Sequence, residues 1–484
     1  MFEDKRTKIV CTLGPSTEDD DVLREMIRAG MNVARLNFSH GDHEYHRNNI
    51  ERVRRISDEL GTPVAILTDT KGPEIRTRAN KKHRPILLAT GDEVDVTTAD
   101  VKSNNDRIAL DYEPLPQEVG AGDVIFIDDG LIGLEVKSVE GDVIHCTVTN
   151  GGTLGEHKGV NIPNVAVGLP SVTDQDIEDI RFSCEIGVDV IALSFVRNAE
   201  GVEEVRELCK GFGGKDVQIY SKIESAFAIQ NFDEILAASD GIMVARGDLG
   251  VEIPPADVPR VQKVIIEKCN REYRPVITAT QMLESMRTNP RPTRAEVTDV
   301  ANAINDGTDC VMLSGETAAG NYPVEAVRMM ADVCRKTEKY LPERHEYHDR
   351  DGVHDVSSAT GYSAVTTARL VDAKALICPT LSGHTARIMS AFRPRLPIIA
   401  TSPIPMALRR MCFYWGVQSI LAQEQGTLTQ ICYGAIQQAR VDGLLQKGDI
   451  AVITAGDPLS SPMSKQGEIT PDTPTNVCIT AEVF

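Results

Sequence analysis

The sequence predicts an α/β protein: a (β/α)8 TIM barrel with an inserted all-β lid domain and a C-terminal open α/β domain. Three observations carry this. Short apolar runs alternate with helical stretches up to residue 70 and again from 170, giving eight candidate strands. Between those points the rhythm is one of short strands split by Asp-Gly and Glu-Gly-Asp turns. Past residue 345 five more strand-like runs alternate with helices. Strand–helix alternation marks a parallel sheet, eight units suit a closed barrel, and Asp-Gly turns mark hairpins. The expected domains are residues 1–70 with 170–344 (a discontinuous barrel), 71–169 (the insertion) and 345–484.

The elements follow in chain order. "TKIVCTLG", "MNVARLNF" and "PVAILTD" read as the first three barrel strands. The helix after the first begins in "STEDDD", where Ser16 or Thr17 is the expected N-cap, and ends at Gly30. In the insertion, "GDEVDVTT", "GDVIFIDDGLIGLEV" and "GDVIHCTV" read as hairpin strands. The barrel resumes with "VDVIALSFV" (188–196), "VQIYSKIE" (217–224), "DGIMVARG" (240–247), "RPVITAT" (274–280) and "TDCVMLSG" (308–315). Before the last of these, Thr293 and Glu296 form a capping-box pattern, with Val297, Val300, Ala301 and Ile304 on one helix face. "HEYHDRDGVHD" (345–355) is polar and reads as a linker. "KALICPT", "LPIIATS", "VQSILA", "DIAVITAG" and "NVCITAEV" are the strands of the last domain.

Composition narrows the function classes. Of 484 residues, 41% are hydrophobic and 25% charged, a globular balance. The formal net charge of −20 disfavours nucleic acid and anionic membrane, so a phosphate ligand must be held by a local basic cluster. No uncharged apolar run approaches the roughly 20 residues of a membrane-spanning helix. The opening "MFEDKRTKIV" has no apolar signal segment. Eleven cysteines are scattered without a C-x-x-C pair, as expected of reduced thiols in a cytoplasmic protein.

Barrel active sites lie at the C-terminal ends of the strands. There the second strand offers Arg35, Asn37 and Ser39 at alternate positions, and the third offers Asp69 and Thr70. The fifth ends with Lys222 and Glu224, the sixth with Gly247 and Asp248, the seventh with Thr280, and the eighth with Ser314 and Glu316. Taken singly, each reads as a solvated strand end. Together they put two cations, several carboxylates and hydroxyls at one mouth. Carboxylates such as Glu224 and Asp248 repel unless a divalent cation bridges them, and few protein oxygens suit Mg²⁺ (or Mn²⁺) completed by substrate phosphate. Arg35 and Lys222 complement a transferring phosphoryl group. The residues alone point to a Mg²⁺-dependent enzyme acting on an anionic, phosphorylated small molecule.

The motifs "MNVARLNFSHGDHEYH", "DTKGPEIRT", "SKIES", "MVARGDLGVEIP", "ITATQMLESM" and "PTRAEVTDVANAINDGTDCVMLSGETAAGNYP" occur in this order and together resemble the pyruvate kinase family. The resemblance covers nearly the whole chain and is to bacterial-type members without an additional C-terminal domain. It implies phosphoryl transfer from phosphoenolpyruvate to ADP, giving pyruvate and ATP. It implies Lys222 as the residue neutralising the phosphoryl group and the enolate, and Arg35 as the phosphoryl-binding arginine. Glu224 and Asp248 resemble the Mg²⁺ ligands, and Gly247, Asp248 and Thr280 the group holding the substrate carboxylate. Thr280, Ser314 and Glu316 match a proton relay, and Asn37, Ser39, Asp69 and Thr70 a K⁺ site. Asn37, His40, Arg76 and Lys158 match nucleotide contacts, with Pro15 and Tyr45 near the adenine. It also implies a homotetramer in the cytoplasm and a lid hinged at about 71 and 169.

Two stretches sharpen these expectations. In "TDTKGPEIRT" the resemblance links Glu74 to K⁺-dependent turnover, because a carboxylate near phosphates leaves a deficit of positive charge that K⁺ offsets. In "PTLSGHTARIMSAFRP", Thr380, Ser382, Gly383, His384 and Thr385 lie between a strand and a helix, an arrangement for phosphate. Arg393, Arg395 and Arg409 are near in sequence and are expected to assist. The implied effector is a sugar phosphate or AMP, since His384 and Leu381 stand where relatives carry basic residues. Two other readings compete. A barrel lyase or aldolase would need neither lid nor nucleotide contacts; a non-catalytic sensor would lack Lys222, Glu224 or Asp248.

Overall fold

In the computed structural model, which describes residues 5–341, 355–423, 426–457 and 473–484, eight parallel strands close into a barrel. They are β1 (Lys8–Thr12), β2 (Val33–Asn37), β3 (Ala65–Asp69), β4 (Val190–Leu193), β5 (Gln218–Ile223), β6 (Gly241–Ala245), β7 (Val276–Ala279) and β8 (Cys310–Leu313). Each pairs with its sequence neighbours, and β1 closes on β8 with Lys8 opposite Cys310. The runs are apolar on both faces because each face is covered. Ile9, Cys11, Ile66, Ile191 and Val244 pack beneath the surrounding helices. Val10, Leu67, Ala192, Tyr220, Met243 and Met312 fill the interior.

The inward row changes character toward the C-terminal end. Two residues past Val10, Val33, Leu67, Ala192, Tyr220 and Met312 stand Thr12, Arg35, Asp69, Ser194, Lys222 and Ser314. A period of two therefore puts a polar layer on top of an apolar floor. Asn37 still lies on β2, opposite Asp69 on β3. Ser39 does not continue the alternation: β2 ends at Asn37, and exposed Ser39 sits in the turn, donating its N–H to Asn37 Oδ1 at 3.1 Å.

Helix ends follow local chemistry. Thr293 and Glu296 form the expected capping box on Arg294–Asp306. The first helix, Asp20–Ala29, is capped by Asp19 rather than Ser16 or Thr17. Thr17 is consumed in a preceding turn, where its hydroxyl bonds both the N–H and the carbonyl of Gly14.

The insertion holds a seven-stranded, mostly antiparallel sheet and a two-stranded one around its own apolar core. The expected Asp-Gly turn joins Val124–Ile127 to Ile132–Glu140, with Asp128, Asp129 and Gly130 all at positive φ. At the entry to the insertion, Gly72 has φ 73°, and a Cβ there would lie 2.7 Å from the Phe195 ring. Only glycine fits both restrictions.

The C-terminal sheet has five strands, Ala375–Pro379, Ile398–Ser402, Val417–Leu421, Ile450–Gly456 and Thr475–Glu482, the last antiparallel. The segment 345–354, expected as linker, lies outside the described residues. This sheet docks on the floor of the barrel: Phe413 packs on Tyr220 with ring centroids 5.0 Å apart, and the two cores are continuous. Among the described residues no helix is long and apolar enough to cross a membrane.

Candidate active site

The polar layer is an ion-pair network. Lys222 Nζ lies 2.8 Å from Glu224 Oε1 and 3.1 Å from Asp69 Oδ1, and donates to Ser194 Oγ at 2.7 Å. Arg35 donates from Nε to Asp69 Oδ2 at 2.7 Å and from Nη1 to Thr12 Oγ1 at 2.9 Å. Burial works against the Asp69 charge, yet Arg35 and Lys222 outweigh it and hold its pKa below the usual value. Burial likewise opposes the Lys222 charge, but Asp69, Glu224 and Asp248 raise its pKa above the ordinary lysine value. Glu224, 1% exposed, is pushed up to about 7 by burial and by the Asp248 charge, despite Lys222 and the Phe195 N–H that donates at 2.5 Å.

Two left-handed residues shape the rim. Phe195 has φ 53°, which directs its N–H at Glu224. Thr280 has φ 69°, unusual for a β-branched residue, and its Oγ1 accepts the Gly247 N–H at 2.8 Å. Arg246 holds this turn. It donates to the carbonyls of Ala279 (3.2 Å) and Thr280 (2.6 Å) and pairs with Asp299 at 2.8 Å. Gly247 and Asp248 lie in the first turn of the short helix Arg246–Glu252.

Ser314 Oγ is buried with no partner among the described atoms. Glu316 is fully buried, and its two oxygens accept the N–H groups of Ser314 (2.7 Å) and Leu283 (3.0 Å). It therefore anchors the turn after β8 against the segment after β7. Thr70 is tied to Ser194: Thr70 Oγ1 accepts the Ser194 N–H at 3.0 Å, and its carbonyl accepts the Ser194 hydroxyl at 2.6 Å.

Arg76 and Lys158 are neighbours in the insertion, since Arg76 pairs with Gly159 across two short strands. Both are held by carboxylates: Arg76 by Glu74 at 2.5 Å, Lys158 by Asp128 at 2.9 Å. The insertion leans on the barrel through Asn161, which donates to Glu252 Oε1 at 2.9 Å, and through the Val167 carbonyl, which accepts from Arg197 at 2.7 Å. A cavity of about 130 Å³ remains between them, lined by Glu74, Asp129, Phe195 and Asp248 among others. Pro15 and His40 are exposed, and the Tyr45 hydroxyl is buried without a partner among the described atoms.

In the C-terminal domain, Thr380 Oγ1 accepts the Gly383 N–H at 2.9 Å and Ser382 Oγ the His384 N–H at 3.4 Å. Thr385 bonds Thr475 at 2.8 Å. Two of the nearby arginines, Arg393 and Arg409, are engaged away from this loop. Arg393 is buried against Asp309 (2.8 Å) and Asn270 (2.7 Å) of the barrel. Arg409 pairs with Asp189 at 2.7 Å, and the Arg395 carbonyl accepts from Arg6. All three mark the junction of the two domains. Adjacency in sequence put them near the loop; the chain turn after Ala391 carries Arg393 and Arg395 toward the barrel floor, and the helix Pro405–Arg410 carries Arg409 there.

Ser194, Phe195 and Arg246 were not singled out from the sequence. Ser194 was legible, being next after Val190 and Ala192 on the inward face of β4. Phe195 acts through its backbone and Arg246 through carbonyls, and neither leaves a side-chain pattern.

Comparison with known proteins bears on the same features. The pyruvate kinase barrel-domain family matches residues 4–327, and the pyruvate kinase alpha/beta-domain family residues 358–465. The chain belongs to the pyruvate kinase family. A pyruvate kinase of Sporosarcina psychrophila is 48% identical over 459 residues, covering 94% of this chain and 78% of that protein. One of Clostridium acetobutylicum is 43% identical, covering 94% of this chain and 96% of that protein. A crystal structure of a pyruvate kinase from Cryptosporidium parvum superposes with TM-score 0.92 at 38% identity, covering 99% of this chain and 96% of that one. The pyruvate kinase assignment makes the chain a transferase, a kinase of glycolysis with phosphoenolpyruvate and ADP as substrates.

Proposed function

We propose that Lys222, Arg35, Glu224, Asp248 and Thr280 carry the phosphoryl transfer at the mouth of the barrel. The observation behind this is the network itself: an ammonium held by two buried carboxylates, next to a guanidinium, above an apolar floor. Lys222 and Arg35 neutralise the phosphoryl group in flight, and Lys222 then faces the enolate oxygen. Electrostatic preorganisation of this kind costs no rearrangement when charge moves. The Asp248 N–H and Thr280 Oγ1 orient the substrate carboxylate, joined by the Gly247 N–H once the substrate takes it from Thr280 Oγ1, with Arg246 keeping the strained Thr280 turn in place. The Ser314 hydroxyl and Thr280 serve proton delivery to the enolate carbon, and Glu316 positions Ser314 through its backbone.

The residues fit a divalent cation. Among the described residues no group of three acids, histidines or cysteines could hold a metal. Two carboxylates, Glu224 and Asp248, with Glu224 reluctant to ionise alone, suit an ion completed by water and substrate oxygens. Mg²⁺ (or Mn²⁺) bound there would polarise the phosphoryl and enolate oxygens. Asn37 and Asp69 on adjoining strand ends, with Ser39 in the turn after β2 and Thr70 just past β3, are oxygen donors that suit K⁺. Arg76, Lys158, Asn37 and His40 take the nucleotide phosphates, with Pro15 and Tyr45 beside the base.

The proposal treats residues 1–70 with 170–344 as the catalytic unit, 71–169 as a lid that excludes water, and 345–484 as an effector domain in a cytoplasmic homotetramer. A phosphorylated activator, a sugar phosphate or AMP, binds at Thr380–Thr385. It must displace the Thr380 and Ser382 caps from the Gly383 and His384 N–H groups. A coupled ADP-to-ATP assay, run with and without Mg²⁺, K⁺ and each activator, tests the whole reading. Phosphoenolpyruvate consumption without ATP formation would overturn it, and a rate unchanged across the activators would remove the effector role.

A further inference from the structure

The insertion joins the barrel through two segments, and one carboxylate bonds to both. Asp176 is fully buried in the first turn of the helix Asp174–Ile186. Its Oδ2 accepts the N–H (2.9 Å) and the hydroxyl (2.7 Å) of Thr173, where the chain has just left the insertion. That oxygen completes a capping box. A cap needs no second acceptor. Yet Oδ1 reaches back 104 residues to accept the buried Gly72 N–H at 3.0 Å, where the chain enters the insertion.

The loop after β4 completes the clamp. Arg197 donates from Nη1 to the Val167 carbonyl at 2.7 Å and from Nη2 to the carbonyls of Leu169 and Pro170. Its fork thus spans the exit segment. At the entry segment the Phe195 ring and Ser194 Cβ close on Gly72, where an added Cβ would lie 2.7 and 2.8 Å from them. The same two residues also meet the charged network. The Phe195 N–H donates to Glu224 at 2.5 Å, and Ser194 Oγ accepts from Lys222 at 2.7 Å. The short run Ser194–Arg197 therefore stands between both hinge segments and the ammonium–carboxylate pair. A close-packed interior transmits a displacement at one side to the other.

We propose that Asp176 and Arg197 are positioning residues that fix the entry and exit segments of the insertion, so that its closure is registered on Lys222 and Glu224. The proposal rests on the reading of the insertion as a lid and of that network as the site of transfer. Asp176 accepts the Gly72 N–H and Arg197 donates to carbonyls, so both act on the path of the chain. Neither adds charge at the reacting group. With the clamp released, Arg76 and Lys158 on the insertion lose their placement over the barrel mouth, while the barrel groups keep theirs. A misplacement of about 1 Å, set far from the chemistry, costs about 10²-fold in rate. Hinges of this kind are a few residues at the ends of elements, and changing them moves kcat and KM together.

The test compares the unmodified full chain with Asp176→Ala, Arg197→Ala and Arg197→Lys. In both alanine variants kcat for ATP formation is expected to fall about 10²-fold and KM for ADP to rise. Affinity for phosphoenolpyruvate and Mg²⁺, read by calorimetry, should stay unchanged, because the barrel holds both. Arg197→Lys should recover little, since an ammonium cannot span carbonyls set for a planar fork. Residue-resolved hydrogen exchange on the unmodified chain depends on no variant folding. There the Gly72 N–H is expected to be protected both free and with phosphoenolpyruvate, Mg²⁺ and ADP bound. A variant that merely folds less well loses active enzyme and keeps its KM for ADP. That result in both alanine variants, or a Gly72 N–H that exchanges like an open loop, overturns the proposal while ATP formation by the unmodified chain leaves the underlying reading standing. If the unmodified chain forms no ATP, the reading and the proposal fall together.

Discussion

Glu74 holds Arg76 at two nitrogens, with Oε2 2.5 Å from Nη2 and 2.8 Å from Nε. The third guanidinium nitrogen donates to the His157 carbonyl at 2.8 Å. The arginine proposed for nucleotide phosphates is therefore already neutralised by a neighbour two residues away. Bound phosphates near this pair face a deficit of one positive charge. On the proposed reading, a K⁺ held by Asn37, Ser39, Asp69 and Thr70 would offset it.

The expected result is K⁺-activated turnover in the unmodified chain, and a weakened K⁺ requirement in Glu74→Lys. The substitution frees Arg76 and adds a charge of its own. A unit charge several ångströms away at an effective dielectric near 20 is worth about 2 kcal/mol, so K⁺ activation should fall by roughly tenfold or more. Rates in K⁺ and in tetramethylammonium buffer, at saturating substrates, decide this. Equal rates for the unmodified chain in both buffers would show that Glu74 does not set the cation requirement.

Lys222→Met should lower kcat by at least about 10³-fold, the scale for losing a preorganised charge at the reacting group. Binding of phosphoenolpyruvate and Mg²⁺ should survive, because Asp69 keeps Arg35 and Glu224 keeps the Phe195 N–H. Steady-state rates and calorimetric titration separate the two effects. A near-normal kcat would mean that another group neutralises the transferring phosphate.

Much of this site was legible because strands obey a period of two. Alternation alone puts Lys222 and Glu224, or Arg35 and Asn37, on one face. The period of two ends where the chain leaves the strand. Ser39 lies in a turn, so the alternation no longer governs it. Thr17 lost the cap position because a tight turn at Gly14 used its hydroxyl first. Arg393 and Arg409 show the larger gap. Their partners, Asp309 and Asp189, are 84 and 220 residues distant, and no local pattern reports a contact made by docking two domains.

Glu224 gives a pH prediction. Its carboxyl is pushed up to about 7, so a proton competes with a cation for it near neutrality. For one competing proton, apparent Mg²⁺ affinity at pH 6 should be about tenfold below that at pH 8. The sign for stability is the reverse of the usual carboxylate. Between the ordinary glutamate value of 4.5 and about 7, the metal-free folded state binds more protons than the unfolded chain. Its stability contribution therefore falls as pH rises through that window, and Mg²⁺ should restore it. Titration and thermal melts at both pH values check the pair of claims. A pH-independent Mg²⁺ affinity would remove Glu224 from the ligand set.

Arg393 separates two roles for the C-terminal arginines. Its guanidinium is buried and donates to Asp309 Oδ1, Asn270 Oδ1 and the Gly307 carbonyl, all at 2.7–2.8 Å. The other Asp309 oxygen accepts the Val276 N–H at the start of β7. Arg393→Ala would leave Asp309 buried without its counter-charge, which costs about 3–5 kcal/mol. Arg393→Lys should recover little, because an ammonium cannot span three acceptors set for a planar fork. Thermal denaturation of both variants checks the magnitude. If Arg393 instead served an effector phosphate, Arg393→Ala would keep its melting temperature and lose only activation. The buried triad of partners predicts the opposite: a large loss of stability, with the junction between barrel and C-terminal domain the first part to open in hydrogen exchange.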